Sequence, residues 1–250
     1  MTTTATDADH AAAAELATAA GELLLGVRAG GLEGADLKSE GDARSQAFLA
    51  ERLAARFPDD GLLSEEAVDD GRRLGRSRVW IVDPLDGTRE FSEPPRVDWA
   101  VHVALAVDGH PVAGAVALPA LGVTLSTADP PVLPDVGRRA PRIVVSRTRP
   151  TEHAQLMAER LGGELVPMGS AGAKAMAVVR GEADIYAHSG GQYEWDSAAP
   201  VAVAAAAGLH VSRLDGGPLE YNRRDPWLPD LLVCRPELAD AVLALPLEVR

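Results

Sequence analysis

The chain has a single cysteine, Cys234, among its 250 residues, so no disulfide can form within it. A lone thiol suits a reducing compartment. The sequence has no run approaching the roughly 20 apolar residues that a membrane span needs. Its opening, MTTTATDADH, carries acids and no basic n-region. The expected location is therefore the cytoplasm. Basic side chains are few beside acidic ones, 24 Lys and Arg against 37 Asp and Glu, for a formal charge of −13. That balance argues against a nucleic-acid polymer or an anionic membrane as partner, since both call for a basic surface. Internal repeats and low-complexity tails are absent as well.

What is present can fill a sizeable core: 46% of residues are hydrophobic, enough for one large domain or two small ones. Ala-rich and Val-rich blocks alternate, which points to mixed α and β structure. Leu16, Leu23, Leu24 and Val27 fall at helical spacing and predict an amphipathic helix from Ala11 to Val27, ending near Gly30 and Gly31. A polar stretch, LKSEGDARSQ, precedes a second helix whose face carries Phe48, Leu49, Leu53 and Phe57. Asp42 lies at that junction and reads as a helix cap or as a functional acid. Gly61 to Ser64 is strand-like and ends in Glu65 and Glu66. Trp99 to Val107 and Val112 to Leu118 form a hairpin about Asp108-Gly109, with Val123 to Ser126 as an added strand. His102 within it reads as structural, because no partner at metal-ligand spacing accompanies it.

Residues 127 to 141, rich in proline, mark the boundary between two halves. Beyond it strands alternate with helices: Ile143 to Val145, Glu152 to Leu161, Ala171 to Val179, Ala183 to Ala187 and Asp196 to Ala207. The expected division is 1–135, an α+β half, and 136–250, an α/β half.

The most informative stretch is WIVDPLDGTREF, residues 80 to 91. Val79 to Val82 suits a buried strand, which should end at Asp83 because Pro84 has no N–H for the ladder and leaves carbonyls free to face a ligand. Asp83 and Asp86, with a carbonyl between them, make a hard-oxygen cluster of the kind Mg²⁺ prefers. Gly87 permits a tight turn or a close backbone approach, and Thr88 adds a hydroxyl. A polar turn with Asx bonds is the plainer alternative.

The longer context weighs against that alternative. D-P-L-D-G-T behind an apolar strand resembles the signature of the inositol monophosphatase superfamily of Mg²⁺-dependent, lithium-sensitive phosphatases. A second signature, W-D-x-A-A, stands at Trp195, Asp196, Ser197, Ala198 and Ala199. The runs VVSRTRP and GSAGAKAMAVVRG are similar to segments of the CysQ branch, the 3′-phosphoadenosine-5′-phosphate phosphatases of sulfate assimilation. The resemblance implies a layered α/β/α/β/α fold, with most metal ligands in the first half and substrate-binding elements and Asp196 in the second. It implies two or three Mg²⁺ ions held by Glu65, Asp83, the Leu85 carbonyl, Asp86 and Asp196. Asp42 and Thr88, with Glu65, would activate the attacking water. Asp86, Gly87, Thr88, Arg147, Lys174 and Asp196 would contact substrate. The residues alone leave Glu65 open to reading as a solvated turn, Asp196 as a cap and Lys174 as an exposed helical lysine. Two departures from the family pattern stand out: Pro200 replaces a usual Gly, and the segment about Lys38 and Gly41-Asp42 is shorter than usual.

The implied reaction is hydrolysis of a small phosphate ester, here the 3′-phosphate of 3′-phosphoadenosine 5′-phosphate, to AMP and phosphate. The enzymatic alternative is an inositol monophosphatase or a fructose-1,6-bisphosphatase-like sugar phosphatase of broad specificity. From another class comes a catalytically silent phosphate- or metal-binding regulator, which a missing ligand would favour. Homodimerisation is left open by the sequence.

Overall fold

The computed structural model describes residues 4–148 and 150–246. Met1 to Thr3 of the acidic opening, Arg149 of the VVSRTRP run and residues 247–250 lie outside them.

In chain order, α1 (Asp7–Ala29) and α2 (Gly34–Arg56) lead into β1 (Gly61–Ser64), β2 (Arg78–Asp86) and the single turn α3 (Thr88–Phe91). Then come β3 (Ala100–Val107), β4 (His110–Leu118) and β5 (Val123–Ser126). The second half holds β6 (Arg142–Ser146), α4 (Glu152–Leu161), β7 (Glu164–Met168), α5 (Ala171–Val179), β8 (Ile185–Tyr193), α6 (Glu194–Ala206), β9 (His210–Ser212), β10 (Trp227–Cys234) and α7 (Ala239–Leu243). One sheet runs β1-β2-β3-β4-β5 and the other β7-β6-β8-β10-β9. Residues 127–141 join them without regular structure.

Period-2 burial on both faces makes the first sheet an inner layer. On β3, Val101, Val103, Leu105 and Val107 pack with α1 and α2, while Ala100, Ala104 and Ala106 turn toward α5 and α6. On β2, Trp80 and Val82 face the first side and Val79 and Ile81 the second. The second sheet repeats the arrangement, with Val144, Tyr186 and Val233 toward α5 and α6, and Ile143, Ile185 and Leu232 toward α4 and α7. Helices α5 and α6 thus form the middle of five layers, the α/β/α/β/α order that the resemblance implied. Small residues on α6, Ala198, Ala199 and Ala202, let it lie close to β4.

Three expectations are corrected. The stretch LKSEGDARSQ lies inside α2, which starts at Gly34, so Asp42 is a mid-helix residue and not a cap. Its weak apolar periodicity hid the first turns, because Leu37, Gly41 and Ser45 are the buried positions there. Strand β2 does not stop at Asp83: an irregularity loops Pro84 and Leu85 out, and pairing resumes at Asp86 with Ala100. A bulge absorbs the missing N–H of Pro84. Helix α6 begins at Glu194, placing Asp196 at its third position, where its carboxylate accepts from Tyr193 N at 2.6 Å.

Candidate active site

The bulge in β2 does the positioning. Ser45 Oγ of α2 donates to Pro84 O at 2.7 Å and so anchors the bulge to α2. Leu85 O accepts from Thr88 Oγ1 at 3.1 Å. Gly87, at φ 83°, turns the chain into α3 in a left-handed conformation costly for other residues. Thr88 then comes 3.4 Å from Asp42 Oδ1, through a contact reaching from α3 back to the middle of α2.

Carboxylates of Asp83, Asp86 and Asp196 converge, each offering an oxygen within 4.8 Å of the others. The bulge supplies two and the first turn of α6 the third, so the cluster sits where the two halves meet. Glu65 joins through a side-chain contact with Asp83. The four acids do not share one electrostatic situation. Burial, then the charges of Glu65, Asp86 and Asp196, push the Asp83 carboxyl well above the usual range. Burial, then Asp196 and Asp86, raise Glu65 to about 7. Burial, then Asp86, raise Asp196 to about 6. Burial, then Glu66, likewise bring Asp42 to about 6, against the pull of Thr88 and Lys38.

Asp86 is the exception. Burial opposes its charge, but His102, Ser170 and Lys174 outweigh it and hold the carboxyl below the ordinary range. Ser170 Oγ donates to Oδ2 at 2.5 Å, Gly172 N to Oδ2 at 2.6 Å and Ala171 N to Oδ1 at 3.0 Å, so the carboxylate caps the N-terminus of α5. His102 Nε2 lies 3.1 Å from Oδ2, while Nδ1 donates to Trp195 O at 2.9 Å. Burial disfavours the imidazolium, yet Asp86 holds the His102 pKa above its usual value. His102 is structural, as the sequence suggested, but its structure is that of the site.

The two expected substrate cations are engaged by protein groups. Lys174 is buried, not an exposed helical lysine, with Nζ donating to Ser170 O at 2.6 Å and lying 5.4 Å from the Tyr186 ring centre. Burial lowers its pKa against the attraction of Asp86 and Asp196. Arg147 reaches Glu90 at 2.5 Å and Glu93 at 2.8 Å. Ser170 and Ser45 were missed from sequence, as was the contact of His102 with Asp86. A hydroxyl in a Gly-Ser-Ala run carries no long-range signal, and the φ of 52° at Ser170 is legible only in three dimensions.

A divalent cation fits the donor set. Asp83 has no cationic partner among the described residues, and its neighbours are acids. The oxygens are hard: carboxylates plus the Leu85 carbonyl. Positive charge from outside the chain would relieve a repulsion that the protein relieves only at Asp86.

The chain is similar to several known proteins. The 3′-phosphoadenosine 5′-phosphate phosphatase of Mycobacterium leprae is 50% identical over 96% of this chain and 94% of its own length. The 3′(2′),5′-bisphosphate nucleotidase CysQ of Escherichia coli is 32% identical over 75% of this chain and 80% of its own. The crystal structure of CysQ from Bacteroides thetaiotaomicron, described as a bacterial member of the inositol monophosphatase family, superposes with a TM-score of 0.75 at 27% identity, covering 92% of this chain and 97% of that one. Residues 1–130 and 135–245 match the inositol monophosphatase family, and the chain belongs to it.

Proposed function

We propose that this protein hydrolyses the 3′-phosphate of 3′-phosphoadenosine 5′-phosphate, giving AMP and phosphate, with two or three Mg²⁺ ions held by Glu65, Asp83, Leu85 O, Asp86 and Asp196. The observation that carries the reaction is the convergence of three carboxylates beside the Thr88–Asp42 contact. The substrate rests on relatives of 50% and 32% identity whose names specify nucleotide bisphosphates.

Magnesium held there supplies Lewis-acid chemistry, acidifying water and screening phosphate charge. The chain's own residues handle the proton. Thr88 Oγ1 can turn its hydrogen from Leu85 O to Asp42 and accept one from water, and Asp42, raised to about 6, can take up a proton near neutrality. Water oxygen bonds to phosphorus as the bond to the 3′-oxygen breaks, and the departing oxygen takes a proton from solvent water to become the 3′-hydroxyl of AMP. Glu65, raised to about 7, is the second acid able to exchange a proton there. Asp86, fixed by three donors, stays ionised and rigid. Lys174 contributes positive potential from beneath it, and Arg147 can receive a phosphate only by exchanging Glu90 or Glu93.

The test is phosphate release across a panel of esters, with Mg²⁺ and with chelator. Turnover should require the metal and kcat/KM should be highest for the nucleotide bisphosphate. Thr88→Ala and Asp42→Asn should each lower kcat by about 10². Full turnover in excess chelator overturns the metal assignment, and preference for inositol 1-phosphate overturns the substrate.

A further inference from the structure

Aromatic residues are few: three Phe, four Trp and three Tyr. Among the described residues only two of them are exposed, Tyr193 at 46% and Trp227 at 44%. These two are register partners on the antiparallel strands β8 and β10. Directly paired residues project from the same face of a sheet, so both side chains leave it on one side. Trp195 completes the patch, stacked on Tyr193 with centroids 4.7 Å apart and planes 12° from parallel. The Trp227 ring is seated on the backbone of Gly191, where a Cβ would fall 2.4 Å from its Nε1, so any larger residue would displace the indole.

The placement matters as much as the composition. Tyr193 N is the donor to Asp196 Oδ2, and Trp195 immediately precedes that carboxylate. The patch therefore borders the proposed phosphate site, and a molecule whose phosphate occupies the carboxylate cluster would extend its remainder past these rings. A flat π-system gains from such a surface, whereas a polyhydroxylated ring offers only C–H edges and hydroxyls.

We infer that Tyr193, Trp195 and Trp227 form a stacking platform for the base of a nucleotide substrate. The inference rests on the nucleotidase reading and deepens it by naming what recognises the base. Tyr193 presents the open ring, Trp195 backs it, and Trp227 borders it. Three rings are too small a patch for a protein partner, which needs several hundred Å² from each side.

The test separates the platform from the reaction by measuring binding alone. Calorimetry on the Mg²⁺-loaded protein compares AMP with ribose 5-phosphate, which lacks a base. AMP should bind more tightly, and Tyr193→Ala and Trp227→Ala should each weaken AMP roughly tenfold while changing ribose 5-phosphate much less. Tyr193→Phe should restore AMP binding, which a merely structural role of the hydroxyl or the strand would not require. In kinetics, Tyr193→Ala should raise KM for the nucleotide bisphosphate more than it lowers kcat. If wild type binds the two ligands equally, or the variants weaken both in parallel, the platform is overturned. If the base preference behaves as stated but the nucleotide is not hydrolysed, the platform stands and the proposed reaction falls.

Discussion

Asp83 and Asp86 lie on the same bulge, yet the protein treats their charges differently. Asp83 accepts from Leu85 N at 3.1 Å and otherwise faces acids, whereas Asp86 collects Ser170, Ala171 and Gly172 as donors with His102 alongside. Conversion to asparagine should abolish turnover in both but move stability in opposite directions. In chelator, Asp83→Asn removes a buried carboxyl whose ionisation burial and the neighbouring acids disfavour, and keeps the Leu85 bond through its amide oxygen, so Tm should rise. Asp86→Asn turns an NH₂ group toward donors already in place, and should cost about 1–3 kcal/mol. Thermal unfolding of the two variants in chelator, beside their rates with Mg²⁺, checks both halves of this contrast. A fall in Tm for Asp83→Asn would mean that its charge is compensated by the protein.

At the scale of elements, α5 is tied to the bulge through its cap. Ser170 Oγ accepts from Ala173 N at 2.9 Å and donates to Asp86, while its backbone sits at φ 52°. Ser170→Ala loses the cap at about 1 kcal/mol and keeps the backbone strain, so it should destabilise more than Ser170→Gly, which relieves that strain. Chemical denaturation of the pair gives the order directly, and the reverse order would show that the strain is negligible. The same elements explain what could be read in advance. The β3–β4 hairpin was legible because Asp108-Gly109 interrupts two strongly apolar runs, and α1 because its buried positions recur at helical spacing. Strand β7 was not, since Pro167 and Glu164 belong to an edge strand, nor was β10, where Pro229 and Asp230 fall at an irregularity. Within the site, the acids and Thr88 announced themselves by motif. The groups that hold them, Ser45, His102 and Ser170, come from distant segments with ordinary local sequence.

For the whole molecule, the raised carboxyls couple folding to pH. Glu65 at about 7, and Asp42 and Asp196 at about 6, sit above their unfolded values, so the folded chain binds more protons than the unfolded one between those limits. Stability of the metal-free protein should therefore fall as pH rises from about 4 through about 7. Asp86 acts oppositely, its contribution being full above the unfolded value and lost only in stronger acid. Mg²⁺ should flatten the decline by favouring the ionised cluster, and a Tm series at several pH values with and without the ion tests this. A metal-free Tm that does not fall over that range would contradict it. A different consequence follows from α6, which packs on β2, β3 and β4 of one sheet and on β8, β9 and β10 of the other. Neither sheet can be closed over without it. The connector, by contrast, contributes no paired strand and is nearly fully exposed at Val132. A protease nick beside Val132 should thus leave one particle with its turnover intact. The two pieces made separately should each be insoluble or unfolded and recover activity only when refolded together, behaving as a complementing pair of fragments rather than as two independent folding units.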